Sequence, residues 1–163
     1  MCLTQVNINY KGGYMIKRQK GFTLIEILVV IGILSILFGI ALVAINPAKQ
    51  FSQANNTSRR NGVLAILNAI HQYGADNKGA LPSGVTTTAQ TIGSGTGEAN
   101  ICSDLVTKYL AALPRDPSVT GGDIADCSAT HTTGYQVVKS DTDNRVTVSA
   151  PSAELSETIS VTR

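Results

Sequence analysis

The sequence predicts an α+β protein: a long, bent N-terminal α-helix, membrane-spanning in its first half, with a small C-terminal head that contains a short helix and an antiparallel β-sheet. Three observations carry this expectation. An apolar run fills residues 22–45, an amphipathic stripe follows over residues 63–73, and three β-rich segments close the chain after a loop-rich middle. With 163 residues, 43% of them hydrophobic and 15% charged, the chain holds one ordinary domain plus one specialised segment.

From Phe22 to Ile45 the sequence reads FTLIEILVVIGILSILFGIALVAI, with Glu26 as its single ionisable side chain. At about 1.5 Å per residue this run makes a helix about 36 Å long, enough to cross a hydrocarbon core of about 30 Å. Lys17, Arg18 and Lys20 precede it and Lys49 stands alone behind it, so the positive-inside bias keeps the N-terminus in the cytoplasm and exports the rest. Ala41-Leu42-Val43-Ala44 imitates a signal-peptidase site only weakly. The run is too long for a secretory signal and Asn46-Pro47 follows at once, so the segment is expected to be retained.

The formal charge of +2 is unevenly placed. Residues 1–21 hold Lys11, Lys17, Arg18 and Lys20 and no acid, whereas the remaining 9 basic and 11 acidic side chains leave the exported part slightly negative. No basic face large enough to drive nucleic-acid binding remains.

Glu26 is the residue that a plain anchor does not explain. A carboxylate near the centre of a spanning helix costs about 2.5–3.5 kcal/mol on insertion scales, and less toward the edge where Glu26 lies. It either snorkels to water or needs a partner. The segment Lys20-Gly21-Phe22-Thr23-Leu24-Ile25-Glu26 resembles the processing and assembly signature of type IV pilins and of the pseudopilins of type II secretion and competence systems. The resemblance implies cleavage between Gly21 and Phe22 by a prepilin peptidase and N-methylation of Phe22. It makes Glu26, with Thr23 beside it in the motif, an assembly residue whose carboxylate pairs with the terminal amine of a neighbouring copy. Bringing an isolated acid and an isolated amine together in low dielectric offsets much of their separate desolvation.

The partners implied are other copies of the chain and related pilins, the prepilin peptidase/methyltransferase, and an assembly platform with its ATPase. The implied location is the cytoplasmic membrane before assembly and a cell-surface filament afterwards. The 21-residue leader departs from the short leaders of the commonest pilin class. Met15 offers an internal start that leaves MIKRQKG, which makes residues 1–14, Cys2 included, an upstream extension.

Asn46-Pro47 has two readings: an N-cap and first-turn proline that open a new helix, or a proline kink in one continuous helix. Both bend the stem, and the resemblance favours the kink. Beyond it, Val63, Ile66, Leu67, Ile70 and Tyr73 recur at steps of three and four, which predicts an amphipathic helix covering a small core. The polar stretch 53–62, with Arg59-Arg60, reads as a solvated or subunit-facing surface. Asp76-Asn77-Lys78-Gly79 with Pro82 is a stop. A stem helical from 22 to 76 would reach about 80 Å.

Residues 83–100 read as a loop, since GSGTG at 93–97 lacks the Lys-Ser/Thr and strand-helix context of a phosphate cradle. Ser103 is a candidate cap for a short helix through Ala112, with Leu105, Val106, Tyr109, Leu110 and Leu113 on one side and Pro114 and Pro117 ending it. Tyr135–Lys139, Arg145–Ser149 and Thr158–Thr162 are the expected strands of a meander. The domains are thus a leader at 1–21, a transmembrane and polymerisation helix at 22–45, an amphipathic stem helix at 46–78 and an exported head at 79–163.

Cys102 and Cys127 are the cysteines left after cleavage, and export permits a disulfide between them, the alternative being two buried thiols. Asp141 and Asp143, with Ser140 and Asn144, are either oxygen ligands for calcium or a solvated hairpin turn. No EF-hand spacing accompanies them, and Asp116, Asp123 and Asp126 fare no better. His71 and His131 stand apart from any zinc cluster or nucleophilic triad. Neither a metal, a cofactor nor an enzymatic activity is expected. The rival from another class is a bitopic membrane protein whose exported head binds a ligand without polymerising, a reading that leaves Gly21-Phe22 and Glu26 as coincidences.

Overall fold

In a computed structural model, residues 21–163 are described. The leader residues Lys17, Arg18 and Lys20, and the alternative start at Met15, lie outside the described residues. The chain divides into two compact units, one ending at Ala44 and one running from Ile45 to Arg163.

The first unit is built on α1 (Leu24–Ile45), 22 residues with no buried side chain and apolar surface on every side. A soluble surface helix has one polar face, so an all-apolar exposed rod is matched to a hydrocarbon surrounding. At about 1.5 Å per residue it is about 33 Å long. Its one internal hydroxyl is satisfied within the helix, Ser35 Oγ donating to the Ile31 carbonyl at 2.7 Å.

The second unit begins with α2 (Pro47–Asp76). Asn46 leaves the helical region at φ 47 and ψ 78, and its Oδ1 accepts from the Lys49 amide at 3.3 Å. Pro47 then occupies the first helical position, where its missing N–H has no partner to lose. A new helix therefore opens here, the first of the two alternatives, and the continuous kinked helix favoured by the family resemblance is corrected. At the other end the Asn77 amide group donates to the Tyr73 carbonyl at 2.8 Å and the Gly79 N–H to the Gly74 carbonyl at 2.8 Å. Gly79 reaches φ 88, a left-handed turn that stops the helix.

The face of α2 bearing Val63, Ile66, Leu67 and Ile70 is fully buried, as the three- and four-residue spacing predicts. It packs on a four-stranded antiparallel sheet of order β1-β2-β3-β4, made of β1 (Gln90–Gly93), β2 (Thr132–Lys139), β3 (Val146–Ala150) and β4 (Ile159–Thr162). Val137 pairs with Val148 and Val148 with Val161, so alternate residues share the core face.

The middle of the chain corrects two expectations. Within the stretch read as a loop, Gln90–Gly93 forms the edge strand β1, opposite Thr132–Val137. The helix expected from Ser103 to Ala112 is only α3 (Cys102–Leu105), without a side-chain cap. Thr107 turns left-handed at φ 73 and its N–H donates to the Leu110 carbonyl at 2.7 Å, which closes a turn where the helix would have continued. The apolar residues of that segment still face inward: Leu105, Val106 and Leu113 are buried, and Leu113 is fixed by reciprocal 2.8 Å main-chain bonds with Ile124.

Candidate processing and assembly segment

The N-terminal boundary of α1 is set by side chains. Glu26 N–H donates to Thr23 Oγ1 at 3.3 Å, and Thr23 N–H donates to Glu26 Oε2 at 3.4 Å. This is a reciprocal capping box, which satisfies amides that the first turn of any helix leaves without intrahelical partners. It explains why Thr and Glu stand three residues apart. The carboxylate also sits at the positive end of the helix dipole, where negative charge is favoured.

Gly21 and Phe22 precede the helix in an open setting. A side-chain carbon built on Gly21 would meet nothing within 4 Å, and Phe22 is exposed. Among the described residues Glu26 has no cationic partner, since the ion pairs all lie in the second unit. The arrangement is an accessible small-aromatic junction, one capped helical turn and a carboxylate without a counter-charge among the described residues, followed at once by the apolar rod.

Residues 16–42 match the prokaryotic N-terminal methylation motif. That motif is characteristic of type IV pilins and pseudopilins. Over these residues the chain is similar to the N-terminal segment of prepilin-type proteins. No curated protein and no solved structure matches it.

In the head, Cys102 and Cys127 are joined by a disulfide with Cα atoms 5.5 Å apart. The loop it closes contains Asp116, and Asp116 is the partner of a residue that the sequence reading placed wrongly. Arg59, read as part of a solvated or subunit-facing surface, is buried. Its Nε and Nη2 donate to the two carboxylate oxygens of Asp116 at 2.9 and 3.2 Å, and its Nη1 to Asn56 Oδ1 at 3.0 Å. Burial alone would discharge Arg59, but the hydrogen bond and charge of Asp116 prevail and hold its pKa above the ordinary value. Burial likewise opposes the Asp116 charge, yet Arg59 and Ser118 hold its carboxyl below the usual range. A signal was available: Asn56, Arg59, Val63, Ile66 and Ile70 lie on one line of three- and four-residue steps.

Arg60 does point outward, and pairs with Glu157. Beneath the same helix, Tyr135 is buried with its hydroxyl unpartnered, and burial pushes its pKa up to about 12. Its ring fits because position 62 is glycine. A side-chain carbon there would run into the hydroxyl and lie 2.7 Å from Cζ.

The remaining candidates separate. Asp143 Oδ1 accepts from the Arg145 N–H at 3.3 Å, while the Ser140 hydroxyl meets that of Thr142 at 3.2 Å and accepts from the Thr142 N–H at 3.3 Å. The segment between β2 and β3 is thus a turn tied by its own polar groups. Among the described residues no cluster of three or more His, Cys, Asp or Glu side chains has the form of a metal site. His131, placed in a polar stretch by the sequence, is buried one residue before β2, its Nδ1 2.8 Å from the Ala129 carbonyl.

Proposed function

We propose that the chain is the structural subunit of a type IV pilus or pseudopilus filament. Prepilin peptidase would cut between Gly21 and Phe22 and Phe22 would be methylated. The subunit would then leave the cytoplasmic membrane for a helical filament, driven by an assembly platform and its ATPase. The supporting observation is the overlap of two features: the methylation motif at residues 16–42 extends through most of a 22-residue apolar helix in which no residue is buried. In this reading Glu26, capped by Thr23 and without a cation among the described residues, takes the freed amine of a neighbouring Phe22 as its partner.

The leader residues Lys17, Arg18 and Lys20 would hold the N-terminus in the cytoplasm until cleavage, and residues 46–163 would be exported. The disulfide between Cys102 and Cys127 agrees with an oxidising destination. Co-expression with a prepilin peptidase followed by mass spectrometry of the N-terminus tests the processing step. The expected product begins at a methylated Phe22. An intact leader in the presence of active peptidase would instead favour a bitopic, non-polymerising membrane protein.

A further inference from the structure

At one end of the head, the last turns of α2, the β2–β3 turn and the end of β4 enclose an open cleft of about 400 Å³. Its polar wall is made by His71, Asp143, Asn144, Arg145 and Arg163, and its floor by Leu81 with the side-chain-free positions Gly74 and Gly79. The sequence scatters these residues over more than ninety positions. The sheet register brings them together: the Arg163 N–H donates to the Val146 carbonyl at 3.0 Å and the Val146 N–H to the Arg163 carbonyl at 2.7 Å, setting Arg163 beside the strand that Arg145 precedes.

The cations are available for a ligand. Among the described residues the Arg145 guanidinium takes part in no ion pair, and Arg163 uses Nη1 alone, donating to Asn68 Oδ1 at 2.8 Å. His71 Nε2 is shielded from solvent and has no partner. Asp143 stays charged, its carboxyl held below the usual range by the Ser140 hydroxyl, the Arg145 N–H and the nearby Arg145 charge, which together outweigh desolvation.

Two guanidinium groups recognise a carboxylate through paired N–H donors, whereas a carboxylate and an amide beside them suit neutral hydroxyls. A dianionic phosphate would be repelled by Asp143 more strongly than a single carboxylate and would leave the Asn144 amide and the apolar Leu81 unused. The volume admits one sugar ring rather than a bare ion. We propose that this cleft binds an acidic monosaccharide unit of the uronic acid type, its carboxylate on Arg145 and Arg163 and its hydroxyls on Asp143 and Asn144. The site goes beyond the filament reading and does not depend on it, because the cleft lies wholly in the head and is the same in an unprocessed monomer.

Titration calorimetry on the full chain in detergent micelles, with glucuronate, glucose and inorganic phosphate as probes, tests the assignment. Saturable glucuronate binding is expected, with glucose and phosphate each weaker by about tenfold or more, the effect of losing one charge-assisted bond. Arg145→Gln and Arg163→Gln should each weaken glucuronate by a similar factor, Asn144→Ala should weaken it less, and Lys49→Gln, distant on α2, should leave it unchanged. The thermal midpoint of each variant reports whether the head remains folded. Glucuronate failing to saturate, phosphate binding more tightly than glucuronate, or wild-type affinity in both folded arginine variants would overturn the proposal.

Discussion

Arg59 and Asp116 face each other as a two-pronged ion pair, Nε to Oδ2 at 2.9 Å and Nη2 to Oδ1 at 3.2 Å, with both side chains removed from solvent. The pair joins α2 to the disulfide-closed loop, so the head is held there by charge as well as by its apolar core. Breaking one side of a buried pair strands the other charge. Asp116→Ala is expected to destabilise the head by about 3–5 kcal/mol, and Arg59→Met in the same background should restore part of that loss. Urea denaturation of both variants measures the coupling. Additive losses would show that the two residues act independently.

Asp116 also gives the head an acid limit. Its folded pKa lies below the unfolded carboxyl value of about 3.9, so its contribution is complete above that value and is lost as the pH falls through the lowered one. Tyr135 gives an alkaline limit with the opposite sign. Its pKa of about 12 exceeds the unfolded value of about 10, so stability declines as the pH rises between the two. Stability measured against pH should show a shallower acid slope in Asp116→Asn and a shallower alkaline slope in Tyr135→Phe. Because the Tyr135 hydroxyl has no partner, Tyr135→Phe should be neutral or mildly stabilising near neutral pH.

Gly62→Ala forces a carbon into the Tyr135 ring and should cost about 1–3 kcal/mol. Placed on Tyr135→Leu, the same change should cost clearly less. Equal penalties in the two backgrounds would remove the steric explanation.

Thr23→Val deletes the hydroxyl that receives the Glu26 amide and should weaken the first turn of α1 by about 1 kcal/mol. Amide exchange at Glu26 in micelles should accelerate while exchange at Leu34 stays slow. Uniform protection at both positions would argue that the cap is dispensable.

Reducing the Cys102–Cys127 bridge, which links residues 25 apart in sequence, should lower head stability by about 3.5 kcal/mol on the loop-closure estimate. Thermal melts with and without reductant, repeated on the double Cys→Ser variant, measure this. A reductant effect that persists in the double variant would place its origin elsewhere.

Regular patterning made much of the fold legible. The apolar run and the Val63–Ile70 stripe each repeat one simple rule over many residues, and the β-branched segments 146–150 and 159–162 alternate as strands do. The N-terminal methylation motif was legible too, because Gly21, Phe22 and Glu26 stand at fixed local offsets in the sequence. What escaped depends on distant partners. Arg59 looks solvated until Asp116, 57 positions later, neutralises it. Gln90–Gly93 sits among Thr, Ser and Gly, and becomes a strand only because β2 offers it an edge. The helix expected beyond Leu105 yields to the left-handed turn at Thr107 and to the Leu113–Ile124 pairing, neither of which local propensity encodes.

Asn56 grips residue 154, after β3, through the main chain of that residue, its amide donating to the Glu154 carbonyl at 2.8 Å and its oxygen accepting the Glu154 N–H at 2.9 Å, and reaches the Glu157 carboxylate at 3.1 Å as well. The main-chain part of that attachment does not depend on which side chain residue 154 carries. The solvent-facing positions of this loop other than Glu157 are therefore free to change their chemistry while that backbone anchorage stays in place, so the surface can diversify without loosening the body that carries it.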